Sequence, residues 1–235
     1  MNDTREPSDN SNTKSPNAIG WRELVVMACI SIALIAASAL ELAPISLTEV
    51  LGFVTGGICV WLTVREHIAT WPIGIANNVF FFVLFWQGRL FADAGLQIVY
   101  VVLAVYGWWT WLRGGPQATE RQITRATSNE WLALAALVPL AVWGLQQFLL
   151  SVGGAAPFWD SLTTVLSLAA QFLMCRKRLE HWLVWIAADI VYIPLYVSRG
   201  LTLTAVLYFV FLVMCLVGLR DWSRSLHGRT TEAIA

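Results

Sequence analysis

Residues 71–111 read WPIGIANNVFFFVLFWQGRLFADAGLQIVYVVLAVYGWWTW. Two apolar runs, about 71–87 and 93–112, flank a short polar joint at Gly88-Arg89. Each approaches the ~20 apolar residues that carry one α-helix across a bilayer. Working outward, the same pattern recurs at about 24–43, 49–64, 130–150, 158–175, 181–198 and 201–219, making eight runs in all. The 235-residue chain is 57% hydrophobic and 13% charged, whereas a soluble domain carries roughly 25% charged residues. It therefore reads as an all-α integral membrane protein with eight transmembrane helices. A formal net charge of zero argues against a nucleic-acid partner.

The basic residues test this count. With alternating spans and the N-terminus inside, the inner segments hold Arg5, Lys14, Arg22, Arg65, Arg113, Arg121, Arg125, Arg176, Lys177, Arg178, Arg220, Arg224 and Arg229. The outer segments hold only Arg89 and Arg199, so thirteen of the 15 basic residues fall on one side. That bias is the positive-inside pattern. It predicts eight spans with both termini in the cytoplasm.

Shifted by 111 residues, 49–111 lies on 160–222 without a gap, and about 15 of the 63 pairs are identical. Arg65 meets Arg176, Trp71 meets Trp182, Ile75-Ala76 meets Ile186-Ala187, Gly107 meets Gly218 and Trp111 meets Trp222. A three-helix repeat inverts unless one more helix intervenes, and run 130–150 supplies it. The expected plan is one N-terminal helix plus a 3+1+3 parallel-repeat core, an arrangement used by transporters such as the SWEET proteins. Its parts are a disordered tail at 1–22, an extra transmembrane helix at 23–44 and a first repeat at 45–112. A loop and linker helix at 113–156, a second repeat at 157–222 and a tail at 223–235 complete it.

A carboxylate at mid-membrane is costly, at least ~2.5 kcal/mol on insertion scales, so Asp189 in run 181–198 asks for a reason. Its repeat partner is Asn78, beside Asn77. The two repeats are expected to set these groups at one depth, facing each other. Gln97 and Gln171 add amides, Tyr100, Tyr192, Tyr196 and Tyr208 add hydroxyls, and Trp182 and Trp185 precede Asp189 on its own helix. Interhelical hydrogen bonding explains any single Gln or Tyr equally well. Asn77, Asn78 and Asp189 together favour a binding site. Aromatic faces, amides and one acid suit a flat ring bearing hydroxyls, and a cationic ring best of all.

Other polar residues have plainer readings. Glu49, Asp93 and Asp160 start helices and complement their dipoles. Trp111 and Trp222 read as interfacial anchors, Trp71 and Trp182 read either way, and Arg176-Lys177-Arg178 reads as a topology anchor. Cys29, Cys59, Cys175 and Cys215 lie in apolar runs without a CxxC pair. No metal-ligand spacing, nucleophile elbow or phosphate loop appears, so neither a metal, a cofactor nor an enzyme is expected.

The stretch 71–111 resembles the first repeat of the PnuC family of nicotinamide riboside transporters, and PFWDSLTTVLSLAAQFLMCRKRLEHWLVWIAAD, 157–189, resembles the start of the second. The most specific pieces are G-x-x-N at Gly74–Asn77, Leu96-Gln97, Y-G-W-W-x-W ending at Trp111, F-W-D at Phe158–Asp160 and W-x-x-W-x-x-x-D at Trp182–Asp189. The resemblance implies a SWEET-like carrier that takes up nicotinamide riboside by facilitated diffusion with alternating access. It also implies a homotrimer in a bacterial inner membrane, and a cytoplasmic kinase that traps the substrate. Asn77, Gln97, Gln171, Trp182, Trp185 and Asp189 match positions lining that family's central site. Relatives carry thiamine or riboflavin, and a proton-coupled symporter using Asp189 is the further alternative.

Overall fold

The computed structural model describes residues 20–40, 47–87, 89, 91–153, 156–198 and 202–232. The expected tail lies outside them up to residue 19, as does the side chain of Glu49. Eight α-helices follow in order: α1 Trp21–Ala39, α2 Leu47–Val64, α3 Thr70–Gln87, α4 Phe91–Arg113, α5 Ser128–Ser151, α6 Pro157–Cys175, α7 His181–Ser198 and α8 Thr202–Glu232. Each expected run is a helix, as lipid demands of a backbone that must satisfy its own polar groups. Six are long and apolar enough to cross a membrane by length and composition. α2 falls short in length, and α3 carries Asn77, Asn78 and Gln87. α8 runs on through the expected tail at 223–232 as continuous helix.

α3 packs on α4 and α2, α7 packs on α8 and α6, and the two sets meet through α2 on α8 and α4 on α6. α1 leans on α2 and α5 on α6. α1 buries no residue, and α5 buries only Val142. Large side chains such as Leu132, Leu140 and Trp143 are more than 60% exposed, the pattern of surface solvated by lipid rather than water.

The contacts that join the two sets occur in pairs related by the same 111-residue shift. The Trp111 indole N–H donates to the Met174 carbonyl at 2.9 Å, and that of Trp222 donates to the Thr63 carbonyl at 3.1 Å. Thr63 and Met174 end α2 and α6, where a helix leaves carbonyls without intrahelical partners. Both turns that follow contain a non-glycine residue in the left-handed region, Glu66 at φ 53° and Lys177 at φ 52°. These two side chains pair with each other at 3.0 Å, both nearly inaccessible. Trp71 lies so close to Gly107 that a Cβ there would come within 2.2 Å of its ring, and a Cβ on Gly218 would come within 2.4 Å of Trp182. Edge-on and tilted ring contacts at 5.3–5.9 Å link Trp71, Trp111, Trp222 and Trp182.

Trp111 and Trp222 are thus not interfacial anchors. They are 3% and 0% exposed and close the core between the two sets. The basic run is also more than a topology signal. Arg176 and Arg178 both pair with Glu130, at 2.9 and 3.1 Å, and Lys177 and Arg178 are buried. Glu130 closes a capping box with Thr127 at the start of α5, a reciprocal pair that satisfies two free N–H groups. The connector before it is docked by Thr124, which exchanges backbone bonds with Lys177 and Leu179, and by Arg121 Nε, which donates to the Arg176 carbonyl at 2.7 Å. Burial, then the guanidinium groups of Arg178 and Arg176, hold Arg121 below the usual arginine range.

Two outcomes follow. Gly107→Ala and Gly218→Ala each lose about 1–3 kcal/mol of stability by overpacking a buried ring, read as a lowered thermal midpoint in detergent. Gly228→Ala, whose Cβ meets nothing within 4 Å, holds or raises the midpoint; equal behaviour of all three would contradict the ring contact. Glu66→Gln strands a buried ammonium and costs about 3–5 kcal/mol, whereas Glu66→Leu with Lys177→Met recovers most of that loss.

Candidate functional site

α7 sets one face against α6 and α8, and that face carries Trp182, Ala188 and Asp189, each at most 3% exposed. The Cys215 thiol of α8 points at Asp189 Oδ2 from 3.7 Å. One turn further along α7, Tyr192 stacks on Tyr196 at 5.6 Å, and both rings meet Tyr208 of α8, at 4.7 and 5.0 Å. Tyr208 also meets Phe211 edge-on at 5.8 Å and lies within electrostatic reach of Asp189. From the other side, Tyr100 of α4 comes up beside Tyr192 and Ser167 of α6. α7 and α8 thus set a buried acid one turn from three phenols in mutual contact.

The first set contributes a smaller polar contact. Asn77 Nδ2 donates to Thr55 Oγ1, joining α3 to α2. Thr55 in turn bonds the Leu51 carbonyl at 2.6 Å. The next residue, Gly56, sits where a Cβ would touch Phe211 at 3.6 Å. Gly56 and Phe211 are the 111-shifted counterparts of Ser167 and Tyr100, so matching positions touch at both α2–α8 and α6–α4. The two sets meet through these helices rather than through α3 on α7. The structure therefore brings Asp189 to Cys215 and the tyrosines, and Asn77 to Thr55, in place of direct amide–carboxylate facing.

The remaining expected residues divide. Tyr100, Tyr192 and Tyr208 join the Asp189 cluster. Asn78, Gln97 and Gln171 are half-buried on α3, α4 and α6. Gln97 lies one turn before Tyr100 and Gln171 one turn beyond Ser167, on the faces that carry those residues. Trp185 is half-buried and packs against the core that includes Trp182. Trp182 itself is pressed against Gly218, His181 and Trp222, which makes it part of the scaffold. Thr55, Ser167, Phe211 and Cys215 were not legible beforehand. Helical Ser and Thr back-bond to the preceding turn, and Cys packs as a small apolar residue, so none stands out in an apolar run.

Electrostatically, the cluster holds one carboxyl group. The described Arg and Lys side chains sit at helix ends and in turns, apart from Arg220 and Arg224 in the second half of α8. With low-dielectric surroundings strengthening any charge–charge contact, the arrangement suits a cation or a neutral ring over an anion. Two cavities of about 590 and 520 Å³ lie beside the cluster, the first sharing Phe211 with it. One runs between α1, α2 and α8, the other between α6 and α7 near Trp159 and Pro194, and neither is lined by any expected site residue. His/Cys/Asp/Glu groups able to hold a metal ion are absent among the described residues.

Six helices are long and apolar enough to cross a membrane, and the relatives are transporters, so the chain is a multi-pass membrane transporter and not an enzyme. The chain belongs to the nicotinamide mononucleotide transporter family, whose model matches residues 46–224 and so begins after α1. The nicotinamide riboside transporter PnuC of Escherichia coli is 28% identical over 217 residues, spanning 81% of this chain and 91% of its own. The riboflavin/roseoflavin transporter RibM of Streptomyces davaonensis is 29% identical over 180 residues, spanning 74% and 84%. A crystal structure of the vitamin B3 transporter PnuC superposes with a TM-score of 0.66 at 22% identity, covering 90% of this chain and 96% of that one. At that identity the likeness concerns the fold.

Proposed function

We propose that this chain takes up nicotinamide riboside across a bacterial inner membrane by facilitated diffusion with alternating access. The observation that carries this reading is the single buried acid, Asp189, on the face of α7 whose next turns carry Tyr192 and Tyr196 in ring contact with Tyr208. Nicotinamide riboside is a flat cation bearing hydroxyls. Rings grip it by stacking and cation–π contact, the carboxylate complements its charge, and Asn77, Asn78, Gln97 and Gln171 read its hydroxyls and carboxamide. The phosphorylated mononucleotide fits less well, because its phosphate would enter the same low-dielectric region as Asp189. Trp185 and Trp182 hold α7 in register behind the site.

The reciprocal bonds of Trp111 and Trp222 support a pseudo-twofold axis along the membrane normal, relating two parallel three-helix repeats with α5 between them. In this arrangement both termini are cytoplasmic, as the basic residues require. Asp189 is 3% exposed, so substrate reaches it only when α7 and its neighbours part, as alternating access demands. A uniporter needs a sink, and phosphorylation by a cytoplasmic kinase provides one. The homotrimer implied by the family resemblance is part of this proposal. Riboflavin is the second reading, favoured by the RibM relative and by rings that grip a neutral flavin equally well; thiamine, another cation, would satisfy Asp189 too. Uptake of labelled riboside, riboflavin and thiamine into proteoliposomes separates them, and vitamin flux without riboside flux rejects the first choice. Riboside flux that survives collapse of the proton gradient rules out proton coupling through Asp189.

Asp189→Asn keeps size and hydrogen bonding but removes the charge. A desolvated charge-assisted contact is worth roughly 1.5–3 kcal/mol, so riboside affinity falls about tenfold to hundredfold. Affinity for the neutral dihydropyridine form falls far less. Asp160→Asn, in the first turn of α6, leaves both nearly unchanged. Calorimetric titration of the two ligands decides the matter; equal losses would make Asp189 a packing group rather than the counter-charge.

A further inference from the structure

The junctions α4–α6 and α2–α8 are related by the 111-residue shift, yet the chain fastens them differently. At α4–α6 the connector 114–127 crosses the junction and holds both sides of it. The Arg121 N–H donates to the Trp111 carbonyl near the end of α4 at 2.9 Å, while its Nε donates to the Arg176 carbonyl just beyond α6 at 2.7 Å. Thr124 pairs with the backbone of Lys177 and Leu179, and Glu180 accepts from the Ala126 N–H at 2.7 Å. Ile123 is 2% exposed and belongs to the tryptophan core. Cys175 of α6 adds a thiol bond to the Leu103 carbonyl of α4 at 3.1 Å.

At α2–α8 the chain runs on past Trp222 as helix to Glu232, so this strap has no counterpart among the described residues. Val64, the counterpart of Cys175, is apolar and cannot repeat its bond. The α2–α3 turn is met by Glu23 of α1, 3.6 Å from Arg65, with both side chains part-exposed; such pairs contribute little. α1 buries none of its residues. Beneath it a cavity of about 590 Å³ runs along α2 and α8, past Phe53, Gly57, Val210 and Met214. Gly57 there has nothing within 4 Å of where a Cβ would stand. One junction is strapped, and the other has free space beside it.

We propose that the cytoplasmic end opens by parting α8 from α2, with the strapped α4–α6 junction as the hinge. This rests on the alternating-access reading and its placement of these turns in the cytoplasm. Opening either junction breaks the indole bonding of one tryptophan. Only at α4–α6 must the connector also let go, at Arg121 on the α4 side or at Arg121, Thr124 and Glu180 on the other. Glu66 and Lys177 are each other's counterparts, so their pair lies between the junctions and favours neither. α8 also carries Cys215 and Tyr208, so its departure uncovers Asp189.

Val64 and Cys175 occupy matching positions, so Val64→Cys gives each junction a thiol at the same depth, with Cys175 as the internal reference. Full-length protein in proteoliposomes is treated with a water-soluble maleimide, and both positions are read by peptide mass. The thiol introduced at α2 reacts about tenfold faster than Cys175, the difference made by one or two hydrogen bonds, and riboside raises the rate at α2 alone. Arg121→Gln with Ile123→Ala loosens the strap and brings Cys175 up to the same rate. Hydrogen exchange of the unsubstituted chain gives a second readout, with amides at the end of α2 exchanging faster than their counterparts at the end of α6. Equal labelling of the two thiols, faster labelling of Cys175, or equal exchange at the two helix ends overturns the hinge. A Cys175 rate unmoved by the strap variant overturns the connector's part in it. Labelling at α2 that rises with riboflavin or thiamine but not with riboside supports the hinge and rejects the substrate reading instead.

Discussion

A carbonyl oxygen has two lone pairs, and the fold depends on how two carbonyls at helix ends share theirs between the two sets of helices. α2 ends at Val64 and α6 at Cys175, and the indole N–H of a tryptophan from the opposite set reaches the last turn of each. Each of these carbonyls also accepts from its own turn, Thr63 from the Glu66 N–H at 3.0 Å and Met174 from the Lys177 N–H at 2.9 Å, so the indole is a second donor that ties the turn of one set to the other. The remaining inter-set contacts organise around these two bonds. The left-handed turns at Glu66 and Lys177 bring their side chains together, and the Lys177 ammonium lies 4.7 Å from the centre of the Trp111 ring. Gly107 and Gly218 clear the space in which Trp71 and Trp182 lie flat against their own helix pairs.

This rigid end contrasts with the polar cluster deeper in the membrane. At the basic end Lys177 pairs with Glu66, and Glu130 alone serves Arg176 and Arg178. Around Asp189 the partners are soft: a thiol at 3.7 Å and stacked phenols, with no ammonium or guanidinium. A buried salt bridge would lock α7 to its neighbours. A thiol and a set of rings leave the carboxyl group available to a ligand that brings its own positive charge. Pro194 in α7, between Tyr192 and Tyr196, removes one helical hydrogen bond beside the cluster.

Much of this was legible in the sequence, and the limits have physical causes. Hydropathy reads spans directly, because the bilayer punishes polar backbone everywhere, and the eight runs became helices. Asp189, Tyr192 and Tyr208 announced themselves as polar groups in apolar runs, and the structure gathers them. Trp111 and Trp222 were misread because tryptophan at a helix end looks the same whether it meets headgroups or a carbonyl from another helix; only the partner distinguishes them. The same holds for Arg176-Lys177-Arg178, whose acids Glu66 and Glu130 are far away in the chain. The facing of Asn78 and Asp189 was inferred from matched depth, but depth leaves open which helices touch. Thr55, Ser167 and Cys215 were invisible because their polar atoms are small and common in apolar helices, Thr55 bonding its own turn and Cys215 meeting Asp189 26 residues away.

The pairing of Thr63 with Trp222 spans 159 residues, and that of Met174 with Trp111 spans 63. A ribosome adds ~5–20 residues per second, so the end of α2 is made roughly 8–30 s before its indole partner. During biosynthesis the first helices therefore stand with the Thr63 carbonyl held only by its own turn, through the Glu66 N–H, and with the indole of Trp111 waiting for Met174. The Trp222 indole, reaching both the Thr63 and Val64 carbonyls, is the last of the four core tryptophans to be made, so the contact between the two sets closes only when α8 is in place.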